Sequence, residues 1–142
     1  MLCAFAGFDG EFMKFIHKDK VMVYDTDYQG VAHYASYYRF VTNAADAWRS
    51  KYLHSYPYVN FVVVESKAVY KKPLRPGDNI SVVLMPEIIS DKVLKQNFEI
   101  YRGKTLTTEG YITYVYIDKT TWKATKMPDY LLKFIKQNKS SK

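Results

Sequence analysis

The stretch from Val23 to Phe40, VYDTDYQGVAHYASYYRF, gathers side chains that can do chemistry within one bend. Asp25 and Asp27 flank Thr26. Gln29 and Gly30 follow, and a run with helical spacing begins at His33 and Tyr34. A carboxylate can attack a carbonyl carbon or take a proton from water. The first amides of a helix have no partner within it and lie at the positive end of its dipole, so they suit a developing oxyanion. Asp27, just upstream of a helix that begins near Tyr34, therefore suits acyl transfer, as nucleophile or as general base. Asp25 is the competing carboxylate. The opposing reading makes one or both aspartates loop caps, because aspartate readily bonds nearby backbone amides in turns.

The neighbours divide in the same way. Gln29 is a candidate contact for an acyl carbonyl or an attacking water, against a plain solvent-facing glutamine. His33 is a candidate proton donor or orienter, against a surface or capping histidine. Gly30 permits a bend or the close approach of a ligand to the backbone.

These residues need elements to position them. Phe15 to Tyr24 reads as a strand and Asp25 to Gly30 as a loop. A long helix is predicted from about His33 to Tyr52. Tyr34, Tyr38, Val41, Ala45, Trp48 and Tyr52 share one of its faces, and Tyr37, Phe40, Ala44 and Ala47 lie beside them. Arg39, Asn43, Asp46, Arg49 and Ser50 are left for water, so the helix is mostly embedded. His54 to Tyr58 is a break. Strands are predicted over Val59–Tyr70, Asn79–Met85, Val93–Tyr101 and Leu106–Ile117, with Pro86 marking an edge or bulge. KKPLRPGD is a sharp connection, and Pro128–Gln137 a short final helix. Hairpin-length connections imply an antiparallel sheet. The fold class is α+β: one long helix against one curved sheet of about five strands. Residues 13–137 read as one domain, 1–12 as an N-terminal extension with Met13 as an alternative start, and 138–142 as a disordered tail.

Composition narrows the partners. The 142 residues carry 21 Lys+Arg against 14 Asp+Glu, a net charge of +7. That excess suits a nucleic acid, a phosphorylated cofactor or an anionic membrane, or simply solubility. Fourteen tyrosines fit sheet packing or a ligand cleft. One cysteine excludes an internal disulfide. No apolar run reaches the roughly 20 residues of a bilayer span, and no secretory leader is recognised, so the cytoplasm is the expected compartment. Metal-ligand spacings, a G-x-S-x-G elbow, a phosphate-binding P-loop and a dinucleotide fingerprint are absent from the sequence.

The element order and the bend together resemble the hot-dog fold. Within it they resemble the 4-hydroxybenzoyl-CoA thioesterase family, which includes the acyl-CoA thioesterases associated with the Tol-Pal system. The carrying motif is V-x-x-x-D-T-D-x-x-G-V-x-x-x-x-x-Y, Val21 to Tyr37. YKKPLRPGD (Tyr70–Asp78), EGYITYVYID (Glu109–Asp118) and KMPD (Lys126–Asp129) are weaker landmarks. The resemblance implies hydrolysis of an acyl-CoA thioester without a metal, coenzyme A entering only as part of the substrate. It implies that Asp27 is catalytic and that the backbone amide of Tyr34 holds the carbonyl oxygen. It also implies a homodimer or homotetramer with the site between subunits. Tyr37 and Tyr38 are candidates to line the acyl channel, against simple core packing. Lys71, Lys72 and Arg75 would complement the phosphates of coenzyme A. The sequence departs from the Tol-Pal branch, which has Tyr-His where this chain has His33-Tyr34, and a catalytic tyrosine where it has Val23. No role for His33 carries over.

Three other readings compete. A hot-dog hydratase would need Asp-x-Asn-Pro-x-His, but the Asp27–His33 spacing is too long and YQGVA lacks Asn-Pro. A silent acyl-CoA binder would keep the fold without the chemistry. A nucleic-acid binder would use the charge and the tyrosines, but no RNP-like, zinc-knuckle or helix-turn-helix pattern is present. The expected partners are therefore acyl-CoA and further copies of the chain, not nucleic acid or membrane.

Overall fold

A computed structural model describes residues 13–53 and 60–137. The expected extension at 1–12, the break at His54–Tyr58 and the tail at 138–142 lie outside the described residues. The chain forms β1 (Phe15–Lys20), α1 (Tyr34–Tyr52), β2 (Phe61–Tyr70), β3 (Asn79–Ser90), β4 (Val93–Arg102), β5 (Thr105–Asp118), β6 (Lys123–Ala124) and α2 (Asp129–Gln137). The sheet is antiparallel, in the order β1-β3-β4-β5-β2, and β6 pairs with the end of β5. This is the α+β hot-dog arrangement anticipated from the element order. No helix among the described residues is long and apolar enough to cross a membrane.

Alternation along the strands builds the core. Leu94, Phe98 and Ile100 of β4 join Ile80, Val82 and Leu84 of β3 in one buried cluster. Tyr37, Phe40, Val41, Ala44, Ala45 and Trp48 of α1 complete that cluster. Burying each large apolar side chain contributes about 1.5–3 kcal/mol, so α1 is held along most of its length. At its far end Tyr52 stacks on Phe134 of α2 at 4.8 Å.

The structure corrects several boundaries. The first strand stops at Lys20 rather than Tyr24. Val21 is buried and pairs with the β2–β3 connection, donating to Asp78 and accepting from Gly77. A 3₁₀ turn over Val23–Asp25 follows, with Val23 and Tyr24 exposed. The cause is Asp25, whose carboxylate accepts the Met22 amide at 2.8 Å and folds the chain back. His33 is the N-cap of α1, not its first residue. The Tyr34 side chain is 74% exposed, because Ala32 and Tyr37 take the inward positions at that end. Strand β3 continues past Pro86 to Ser90. Its pairing with β1 ends at Leu84, so Pro86 has a ladder partner on the β4 side only, and proline is tolerated there.

Strand β2 crosses β5 closely at Gly110. A methyl group there would overlap the Lys67 carbonyl oxygen and press on the Phe98 ring. Gly110→Ala is expected to lower stability by on the order of 3 kcal/mol, measured by chemical denaturation. A midpoint equal to wild type would contradict this packing.

Candidate active site

The loop between β1 and α1 is pinned along its length. Ala32 donates to the Leu74 carbonyl at 2.7 Å, and Thr26 and Ala32 form an isolated antiparallel bridge. Between them the chain turns tightly. The Asp27 amide donates to Val31 at 3.0 Å and the Gly30 amide to Asp27 at 2.9 Å. Gly30 has φ +79°, the left-handed region where glycine carries no side-chain penalty. Asp27 is half-buried, and its Oδ1 accepts the Gln29 amide at 2.8 Å. Its second carboxylate oxygen has no hydrogen-bond partner among the described residues.

Asp25 has a different environment. It is 1% exposed, and its carboxylate receives Arg39 Nε at 2.7 Å and Arg39 Nη2 at 2.6 Å, besides the Met22 amide. Its main-chain carbonyl accepts the His33 amide at 3.1 Å and the Ser36 hydroxyl at 2.7 Å. The bond to Asp25 raises the Arg39 pKa above its ordinary value. The guanidinium also lies over the Phe40 and Tyr24 rings, 4.9 and 5.4 Å from their centroids. Asp25 therefore has every oxygen engaged in joining the loop to the helix.

At the start of α1 the Tyr34 amide makes no hydrogen bond among the described residues. It is an unpaired donor at the positive end of a 19-residue helix. His33 Nε2 lies 3.1 Å from Ser36 Oγ. The Ser36 proton goes to Asp25, so His33 must supply the hydrogen of this contact. That bond anchors the ring at the helix start.

A cavity of about 310 Å³ opens beside this terminus, walled by Ala32, Tyr34, Tyr37, Tyr70, Lys71 and Lys72 among others. The Tyr37 and Tyr70 rings meet edge to face at 4.8 Å, and the Tyr70 hydroxyl donates to the Tyr34 carbonyl at 3.3 Å. Burial raises both phenol pKa values, and in Tyr70 the neighbouring Tyr38, Tyr37 and Tyr34 hydroxyls add to the effect. Both phenols therefore stay protonated at neutral pH. Lys71 pairs with Glu109 at 3.3 Å, and Lys72 forms no ion pair among the described residues.

Of the residues singled out in the sequence, Tyr34, Tyr37, Lys71 and Lys72 converge on this cavity. Asp27, Gln29 and Gly30 sit on the loop that leads to it. Tyr38 is half-buried near Tyr70. Gln29 is exposed, and its side chain makes no hydrogen bond among the described residues. Arg75 is exposed in the β2–β3 connection and does not line the cavity. Sequence reasoning missed Ser36, Arg39 and Tyr70. Tyr70 ends a predicted strand and opens the YKKPLRPGD landmark, neither of which assigns its phenol a place beside the helix start. Arg39 was assigned to water, because its partner lies 14 residues earlier in a loop whose path the sequence does not show.

Residues 21–135 match the sequence profile described as the thioesterase-like superfamily. A 1,4-dihydroxy-2-naphthoyl-CoA hydrolase of Nostoc punctiforme is 22% identical over 133 residues, 89% of this chain and 90% of that protein. The crystal structure of a 1,4-dihydroxy-2-naphthoyl-CoA thioesterase from Synechocystis superposes with a TM-score of 0.75 at 20% identity, over 84% of this chain and 93% of that one. A Staphylococcus aureus protein solved in complex with CoA gives a TM-score of 0.83 at 17% identity, over 93% and 87%. The profile spans the bend, the long helix, the whole sheet beyond β1 and most of α2, and on that match the chain belongs to the thioesterase-like superfamily.

Proposed function

We propose that the protein hydrolyses acyl-CoA thioesters to the free acid and coenzyme A, in the manner of the 4-hydroxybenzoyl-CoA and Tol-Pal-associated branch, with residues 13–137 as the catalytic domain. The observation that carries this reading is the unpaired Tyr34 amide at the helix N-terminus, one short turn after a carboxylate with a free oxygen. In the reaction the Tyr34 N–H holds the oxygen of the thioester carbonyl as negative charge develops on it. Asp27 either attacks the carbonyl carbon, giving an anhydride that water then cleaves, or removes a proton from the attacking water. In both routes the C–S bond breaks and coenzyme A leaves as its thiol. His33, held by Ser36, and Gln29, with its side chain in solvent, are left with supporting positions at most.

The acyl group is read as aromatic. Tyr37 and Tyr70, packed edge to face on one another, both line the cavity, and an aromatic wall suits a planar aryl acid. The names of the Nostoc and Synechocystis relatives, both acting on a naphthoyl thioester, support the same reading. Lys72 and Lys71 at the rim, with Arg75 farther out, are assigned to the phosphates of the coenzyme.

A second copy of the chain completes the assembly. Strand β2 ends the sheet, with Val63 and Val64 each 58% exposed and Val69 and Tyr70 partly so. An open apolar edge of this kind pairs readily with another strand. Tyr70 lies at the end of that edge and in the cavity wall, so a partner aligned on β2 would flank the site. Sedimentation is expected to give a dimer or tetramer at micromolar concentration, and a strict monomer would contradict this part of the proposal.

The activity is tested by thiol release from short, long and aromatic acyl-CoA substrates. Aryl thioesters are expected to be cleaved best, and Asp27→Asn to lower kcat by about 10³-fold. Binding without hydrolysis by the wild type would identify a silent acyl-CoA binder, with Asp27 only a turn residue. Lys72→Ala is expected to raise KM several-fold with kcat little changed, an effect that shrinks as salt is added. A salt-independent change in kcat would remove Lys72 from the phosphate site.

A further inference from the structure

Arg39 does not line the cavity, yet it is bound tightly to the loop that carries Asp27. A buried carboxylate without a partner costs several kcal/mol. Asp25 avoids this by taking both arms of the Arg39 guanidinium and the Met22 amide. The fork geometry fixes direction as well as distance, which a lysine ammonium does not do.

The position of Asp25 in turn sets two other groups. One residue further on, Thr26 is tied back to the Val23 carbonyl at 2.7 Å, and Asp27 follows at once. On the other side, the Asp25 carbonyl holds the His33 amide and the Ser36 hydroxyl, which bracket the Tyr34 amide. Asp25 is thus linked both to the segment that carries Asp27 and to the helix start that carries the Tyr34 amide. Arg39 holds Asp25 from the second turn of α1.

We propose that Arg39 is a positioning residue for thioester cleavage: acting through Asp25, it keeps the Asp27 carboxylate in register with the Tyr34 amide. This rests on the assignment of Asp27 made above. Misplacing a catalytic group by about 1 Å can cost on the order of 10²-fold in rate, so the effect is expected in kcat.

The test compares Arg39→Met and Arg39→Lys, each alone and combined with Asp27→Asn, with 4-hydroxybenzoyl-CoA as substrate and folding checked by circular dichroism. Arg39→Met is expected to lower kcat by about 10²-fold with KM within a few-fold. Arg39→Lys, which keeps the charge but loses the fork, is expected to fall between it and wild type. In the Asp27→Asn background the Arg39 changes are expected to have little further effect, because the group they position is gone. A second readout does not depend on activity. Hydrogen-exchange protection of the Gln29 and Gly30 amides, both bonded to Asp27, is expected to drop by about 10-fold in either Arg39 variant.

A folded Arg39→Met with wild-type kcat and wild-type protection would overturn the proposal. So would a rise in KM alone, which would make Arg39 a substrate contact, or an equal loss of kcat with and without Asp27. If Arg39→Met does not fold, Arg39→Lys is read by the same criteria. Full activity in Asp27→Asn alone would instead overturn the catalytic assignment. A protein inactive on every thioester would overturn the proposed function and with it a role for Arg39 in cleavage, while unchanged exchange protection in Arg39→Met would overturn the positioning of the turn on its own.

Discussion

The Asp25–Arg39 ion pair is the constraint on which the site geometry depends. It joins a helix that is otherwise held by the core to a loop whose apolar side chains, Met22, Val23, Tyr24 and Tyr28 among them, are largely exposed. Val21 and Ala32 anchor the two ends of that loop to the β2–β3 connection, but between them the chain has few hydrophobic contacts to settle its path. A buried carboxylate satisfies this need because it tolerates few arrangements of donors. Breaking such a pair by removing one partner typically costs about 3–5 kcal/mol, whereas the intact pair adds little net stability. The pair is therefore better understood as a device for a single loop conformation than as a source of stability.

The helix links this polar device to the apolar core. Its inner face, from Tyr37 through Trp48, packs on β3 and β4, while its first turn offers the Tyr34 amide and its second turn offers Arg39. In the proposed reaction the helix has to be rigid, because an oxyanion donor is effective only if it does not reorganise as charge develops. Burial of most of one face supplies that rigidity. The sheet contributes through β2, which brings Tyr70 and the following lysines to the helix terminus.

Much of this was legible in the sequence. The period of α1, the alternation in β4 and β5 and the hairpin-length connections led to the α+β sheet-and-helix order, and the D-T-D bend with a helix behind it singled out Asp27 and Tyr34 as the candidates to test. The failures share a cause. Val21 and Val23 share a parity that predicts a strand as far as Tyr24, but a buried aspartate that accepts a preceding amide turns the chain at Met22. Pro86 does lie at a locally unpaired edge, beyond the last β1 partner at Leu84, but the strand runs on through it to Ser90. Arg39 looked solvated because helical periodicity identifies the polar face without identifying what faces it. Local pattern determines the elements, while interactions between residues far apart in the chain determine where a loop goes.

The two halves of the site come from separate parts of the chain. Asp27 and the Tyr34 amide lie in one continuous stretch that Asp25 and Arg39 hold together, whereas Tyr70, Lys71 and Lys72 lie at the end of an edge strand that has no part in that lock. Substitutions at Lys71 and Lys72 can therefore reshape the cavity wall without touching the Asp25–Arg39 bonds, whereas Tyr70 is tied to the helix start through the Tyr34 carbonyl. In an evolving lineage, such a chain is free to vary the lysines of its cavity wall while the ion pair that orders the neighbouring loop is inherited unchanged.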